Sequence, residues 1–178
     1  MLKFGTSILF SLIILSPNLC VTFSQAQTYE PWTGAVVGAN INLGNNEVLK
    51  NIRLLINQGK TGDAVREAEK FVYRVTSPGL AQQTSRFYYD GYNALCISLT
   101  AHKEYERAMT ACDTAVQNKP TKWIAINSRG SLNYKMGNFS AALNDYRKAL
   151  ENAPNTEHIT RILEHNIKIS EARVSSDK

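Results

Sequence analysis

Apolar residues recur along the chain in one helical rhythm, written three times. Tyr105, Ala108, Met109, Cys112, Ala115 and Val116 stand at relative positions 0, 3, 4, 7, 10 and 11. Phe139, Ala142, Leu143, Tyr146, Ala149 and Leu150 repeat the spacing 34 residues later, and Pro120 and Pro154 follow at the same offset. Such a spacing is one apolar stripe of an α-helix, and a fixed offset means that one supersecondary unit occurs twice. Thr61, Ala64, Val65, Ala68, Phe71 and Val72 keep the spacing once more, 44 residues before the middle copy. The ten extra residues fall around Thr76-Ser77-Pro78-Gly79, a turn and helix-start signal.

A second helix is predicted before each stripe. The first runs from Glu47 to Gln58 and ends at Gly59. The middle one runs from about Gln82, or already from Pro78, to His102. The last spans Lys122 to Lys135 and is closed by Met136-Gly137-Asn138. Gly137 suits the left-handed position after a helix, and Asn138 is placed to cap the next one. One helix pair cannot bury both of its apolar faces, so pairs must stack, and the end of the stack needs a cap. Residues 156–173 supply it, with Thr156 as N-cap and Ile159, Ile162, Leu163 and Ile169 on the packing side. The expected fold is all-α: a short α-solenoid of about three antiparallel helix pairs plus a C-terminal capping helix. Its expected divisions are 47–76, 77–120 with an extended first helix, 121–155, the cap at 156–173 and a frayed tail at 174–178.

The repeated unit resembles the tetratricopeptide repeat, a 34-residue helix–turn–helix with small residues where paired helices touch and a closing Pro. In the last unit Gly130, Gly137, Phe139, Ala142, Tyr146, Ala149 and Pro154 fall on family positions. Arg129 and Asn133 depart from it, standing where the family prefers Leu and Tyr. The middle unit supplies Tyr92, Leu95, Ala108, Ala115 and Pro120, with Cys96 at the small-residue position. The first unit is degenerate: it keeps Gly59 and Ala64 but carries Phe71 where a small residue is usual. Glu164 occupies the small-residue register of the last helix, which suits an end with no further partner. The resemblance covers residues 46–155 and speaks to fold rather than to ligand.

The N-terminus changes the picture. Lys3 precedes the apolar run Ile8 to Leu15, Pro17-Asn18 breaks it, and Ser24-Gln25-Ala26 places small residues at a cleavage site. That order is the order of a secretory signal peptide over residues 1–26, and the run is too short for the ~20 residues of a bilayer span. Export to a periplasm or to the exterior is therefore expected, with no stable membrane span after cleavage. Residues 27–46, interrupted by Pro31, Gly34, Gly38 and Gly44, read as a loosely ordered arm,. Its Tyr29, Trp32, Val36 and Val37 are candidates to dock on the array.

Lys and Arg outnumber Asp and Glu by 20 to 15, a net charge of +5. The basic residues are interleaved with acids and no recognition motif accompanies them, so a nucleic-acid partner is not expected. His102, His158 and His165 have no neighbours at zinc spacing,. No nucleophile elbow, phosphate loop or calcium loop occurs. The carboxylates Glu104 and Glu106, or Glu67 and Glu69, are two residues apart and do not face each other on a helix,. Asn138-Phe139-Ser140 forms a glycosylation triplet, but a turn Asn and a core Phe explain it. The expectation is a non-enzyme without metal or cofactor.

Cys96 and Cys112 lie on the two helices of the middle unit, almost equally far from the turn at Lys103–Glu104. By the resemblance they face each other. An even number of Cys in an oxidising compartment favours a disulfide; two buried thiols are the alternative. The resemblance also implies that first helices line a concave groove. Its candidates are Lys50, Arg53 and Asn57, then Asp90 and Asn93, then Asn127, Ser131, Tyr134 and Lys135. His158, Arg161, His165 and Lys168 form one stripe of the capping helix,. This polar, amide-rich and largely basic set suits an extended peptide or a carboxylate-bearing segment. Two functions follow: an exported adaptor holding a protein or peptide partner, or a structural subunit whose groove another subunit fills.

Overall fold

The computed structural model describes residues 47–78 and 87–176. The signal segment 1–26, the arm 27–46 and the expected helix start at Gln82 lie outside them. Among the described residues seven helices follow one another: α1 Glu47–Asn57, α2 Thr61–Thr76, α3 Tyr88–Ala101, α4 Tyr105–Asn118, α5 Trp123–Lys135, α6 Phe139–Asn152 and α7 Glu157–Ser176. No strand occurs among the described residues. α1–α2, α3–α4 and α5–α6 pack as pairs, and α2–α3, α4–α5 and α6–α7 join them into a stack. α1 also touches α3, and α3 touches α5, so the first helices of the pairs run side by side along one face. This is the expected all-α short solenoid with its capping helix. No described helix is long and apolar enough to cross a membrane.

The three stripes form the core. Ala64, Ala68, Ala108, Cys112, Ala115, Ala142, Tyr146 and Ala149 are fully buried. All but Tyr146 are small side chains that let the helices approach, while Leu99, Ile126, Leu132 and Leu163 fill the space between pairs,. At Gly130 the approach is closest. A Cβ there would lie 2.8 Å from the Tyr146 ring, so no other residue fits without movement. Phe71, large for its register, is accommodated by Gly91 on α3, whose missing Cβ would meet Val75, Val72 and Phe71 at 3.2 to 3.7 Å.

Each pair turns through the same backbone device. Gly59, Lys103 and Gly137 have φ of 73°, 66° and 82°. The next N–H reaches back to a carbonyl five residues earlier: Lys60 to Leu55, Glu104 to Leu99, Asn138 to Asn133, at 2.8 to 3.0 Å. These are Schellman closures, which satisfy carbonyls that the helix leaves open. Lys103 adopts the left-handed conformation without being glycine, and no sequence signal marks it.

Three expectations about helix ends are corrected. Asn138 stands at the N-cap position of α6 but makes no side-chain cap hydrogen bond. Its ψ of 60°, like the 56° of Lys60 and 70° of Glu104, is set by the tight turn and departs from the extended backbone that caps prefer,. As described, the first helix of the middle pair runs from Tyr88, and Pro78, the earlier of its two expected starts, stands in a turn. The tail expected to fray from Val174 remains helical to Ser176, where the Ser175 and Ser176 hydroxyls donate to the Glu171 and Ala172 carbonyls. Thr156 lies just before α7, and its carbonyl accepts from the Thr160 N–H at 3.0 Å.

Candidate functional site

α1 and α3 do not close completely against each other. Leu49, Ile52, Arg53 and Ile56 from α1 face Asp90, Asn93, Ala94 and Ile97 from α3 across a narrow cleft of about 30 Å³. Each set has the spacing 0, 3, 4 and 7, one stripe per helix,. The floor is purely aliphatic, and its volume is nearer that of a methyl group or a water than of an aromatic ring.

Polar atoms rim this floor. The Arg53 Nε and the Asn93 Oδ1 are buried and have no hydrogen-bond partner. Asn93 is only 2% exposed. A buried polar atom without a partner costs about 1–3 kcal/mol, and Ser98 Oγ and Asn127 Nδ2 are left in the same state elsewhere in the array. Asp90 is half-buried, and burial raises its carboxyl above the ordinary value, while Lys122 pulls it the other way.

The structure thus brings Arg53, Asp90 and Asn93 together out of the predicted groove. Asn127 and Ser131 are corrections, because both are fully buried between helices instead of lining open space. Asn127 Oδ1 accepts from Asn166 Nδ2 of α7 at 3.0 Å, and Ser131 Oγ lies 3.2 Å from the Tyr146 hydroxyl. Polar residues at a groove register were read as wet, but neighbouring helices supply dry partners. Burial also raises the Tyr146 hydroxyl well above its usual range.

The remaining candidates are dispersed. Lys50 is exposed and pairs with Glu47 at 2.8 Å, and Asn57 is exposed at the end of α1. Tyr134 is half-buried, edge-on to Phe139 with ring centroids 5.2 Å apart, and Lys135 is half-buried beside it. His158, Arg161 and Lys168 are exposed on α7, and His165 is half-buried there. The aliphatic floor was missed by sequence reasoning. Its signal was present: Leu49, Ile52, Ile56, Ala94 and Ile97 share the helical register of the polar candidates.

A second polar cluster was also missed. Arg129 donates from Nε and Nη2 to both oxygens of Asp145, at 3.0 and 2.7 Å, and from Nη1 to Asp113 at 2.9 Å. Asn133 Nδ2 donates to Asp145 at 3.1 Å. The carboxylates hold the Arg129 guanidinium firmly protonated. Arg129 and Asn133 are the two departures from the repeat pattern, and the buried Asp145 explains both. Cys96 and Cys112 are joined in a disulfide with Cα atoms 4.8 Å apart.

Among the described residues no group of three His, Cys, Asp or Glu is placed to hold a metal ion. No curated protein matches the chain. Residues 95–165, from the middle of α3 into α7, match the family model for the tetratricopeptide repeat, and the match supports a tetratricopeptide-repeat protein.

Proposed function

We propose that this chain is an exported scaffold that holds a protein or peptide partner in the α1–α3 cleft and catalyses no reaction. Repeats of this family generally serve as protein-interaction scaffolds. The observation that carries the reading is the narrow α1–α3 cleft, an aliphatic floor bordered by Arg53, Asp90 and Asn93. The disulfide fits export, since such bonds persist in oxidising compartments,.

Affinity capture from an envelope extract tests this, comparing the native chain with Arg53→Ala/Asn93→Ala and with Tyr73→Ser as a control on the other side. Partners should be lost from the double variant and kept by the control, with both folded by circular dichroism. Equal recovery by all three sinks the cleft as the binding site. The second reading, a structural subunit, draws on Leu54 and Tyr73, large apolar side chains 53% and 73% exposed. Light scattering showing a stable oligomer would favour it.

A further inference from the structure

We infer that the chain's own N-terminal arm, residues 27–46, docks on the upstream side of α1 and covers Leu54. This surface lies outside the α1–α3 cleft, so docking there leaves the cleft open. Leu54, Ser98 and Leu132 hold one position in the three first helices. Each stands five residues before its left-handed turn residue, Gly59, Lys103 or Gly137. Each carbonyl accepts from the N–H four residues on, at 2.9 to 3.0 Å. Ser98 and Leu132 are fully buried, whereas Leu54 is 53% exposed. The order of the array explains the difference. α3 packs on α2 and α5 on α4, so each has the preceding second helix on its upstream side. Leu132 shares an apolar cluster with Ala108, Ala111 and Cys112 of α4. Among the described residues no helix precedes α1. Leu54 is thus an apolar side chain at a position that the rest of the array covers, with exposed Asn51 and Gln58 beside it.

The arm stands in the chain where α2 stands before α3 and α4 before α5, directly ahead of a first helix. Ala108, Ala111 and Cys112 lie 20 to 24 residues before Leu132. The same distance before Leu54 spans residues 30–34 and includes Trp32. Leu54 lies about 10 Å along the helix from Glu47 at 1.5 Å per residue, and the stretch from Trp32 to Glu47 spans several times that when extended. Composition favours burial of the arm. Glu30 is its one charged residue, against 20% charged residues in the whole chain, so docking desolvates little charge. Tyr29, Trp32, Val36 and Val37 supply apolar area,. A tether this short also gives the arm a local concentration on the order of millimolar, which a free partner of the same chemistry lacks.

Photo-cross-linking of the exported chain carrying Leu54→p-benzoylphenylalanine, irradiated in dilute solution, tests the contact. Mass spectrometry of the digest should find the cross-link within one chain, between position 54 and residues 27–46. Trp32 emission gives a second readout, taken as the native spectrum minus that of Trp32→Phe to remove the Trp123 signal. It should lie to the blue of a free peptide of residues 27–46. Leu54→Asp should return it to the free-peptide position with helix content by circular dichroism unchanged, since Leu54 is exposed on the helix. A cross-link between two copies overturns the proposal and favours the structural-subunit reading. A cross-link to another part of the same chain, or none, overturns it as well. So does Trp32 emission that matches the free peptide or ignores Leu54→Asp.

Discussion

The middle and last helix pairs meet at equivalent positions, 34 residues apart, with different chemistry. In the last pair Gly130 lies under the Tyr146 ring. In the middle pair the same positions hold Cys96 and Cys112, covalently joined. Beside that contact the last pair carries Arg129, Asn133 and Asp145 in a bonded network, where the middle pair carries Leu95, Leu99 and Ala111 in an apolar cluster. The first pair, 44 residues earlier, fills the crossing with Ile52 and Ala68, both buried. The crossing therefore conserves a volume and a distance between helices, and it tolerates a bond, a ring on a glycine, or an aliphatic contact.

The largest way to break this comparison is Asp145→Ala, which removes two of the three carboxylate bonds of Arg129 and the acceptor of Asn133, leaving Arg129 with Asp113 alone. Removing one partner of such a pair should cost roughly 3–4 kcal/mol, measured by urea denaturation. The triple change Arg129→Leu/Asn133→Leu/Asp145→Ala copies the middle pair and should recover stability to within about 1 kcal/mol of the native chain. If the triple variant stays as weak as the single one, the two solutions are not interchangeable.

Removing the disulfide comes next. Cys96→Ala/Cys112→Ala should lower stability by about 3 kcal/mol on the chain-entropy account of a loop of this length. Intact mass should rise by about 2 Da on unfolding and reduction, since reduction adds two hydrogens to the bond. Gly130→Ala should cost about 2 kcal/mol, the usual range for overpacking, because its Cβ would sit 2.8 Å from Tyr146. A neutral result would show that the Tyr146 ring moves freely and that the last crossing is looser than the middle one.

Two smaller changes sharpen the contrast between turns and faces. Lys103→Gly should raise stability by about 1 kcal/mol, since Lys103 holds a left-handed backbone that Gly59 and Gly137 adopt without strain,. Thermal melting would record it, and a drop would mean that Lys103 makes a compensating contact. Asp90→Asn should stabilise slightly above the ordinary carboxyl value of 3.8 and have no effect well below it. Burial raises the folded proton affinity of Asp90, so the native fold favours the protonated form and loses stability as pH rises and the group ionises. A pH series of melting temperatures for both proteins reads the sign directly.

Several features were legible in the sequence because their causes are local. The apolar stripes, the offset between the last two units and the turn glycines Gly59 and Gly137 each depend on a few consecutive residues. The left-handed turn at Lys103 carried no such mark, because this turn follows the geometry of the pair and not the preference of its residue. Asn127 and Ser131 were misplaced for a different reason. A polar residue at a groove register is wet unless a neighbour dries it, and Asn166 and Tyr146 do so from 39 and 15 residues away. Arg129 looked like a departure from the repeat because its partner Asp145 lies 16 residues away, across the hairpin.

By itself, the sequence determined the helical class, the pairing of the helices and the capping helix, and its resemblance to the tetratricopeptide repeat implied the facing of Cys96 and Cys112. Periodicity and small residues at fixed offsets leave little freedom in how such helices pair. Only the tertiary structure decided which polar side chains are open and which are enclosed. It also decided that α1 and α3 part just enough to leave a narrow cleft bordered by Arg53, Asp90 and Asn93. Partnering is a property of distance in space, and a side chain's burial depends on helices that the local pattern does not contain.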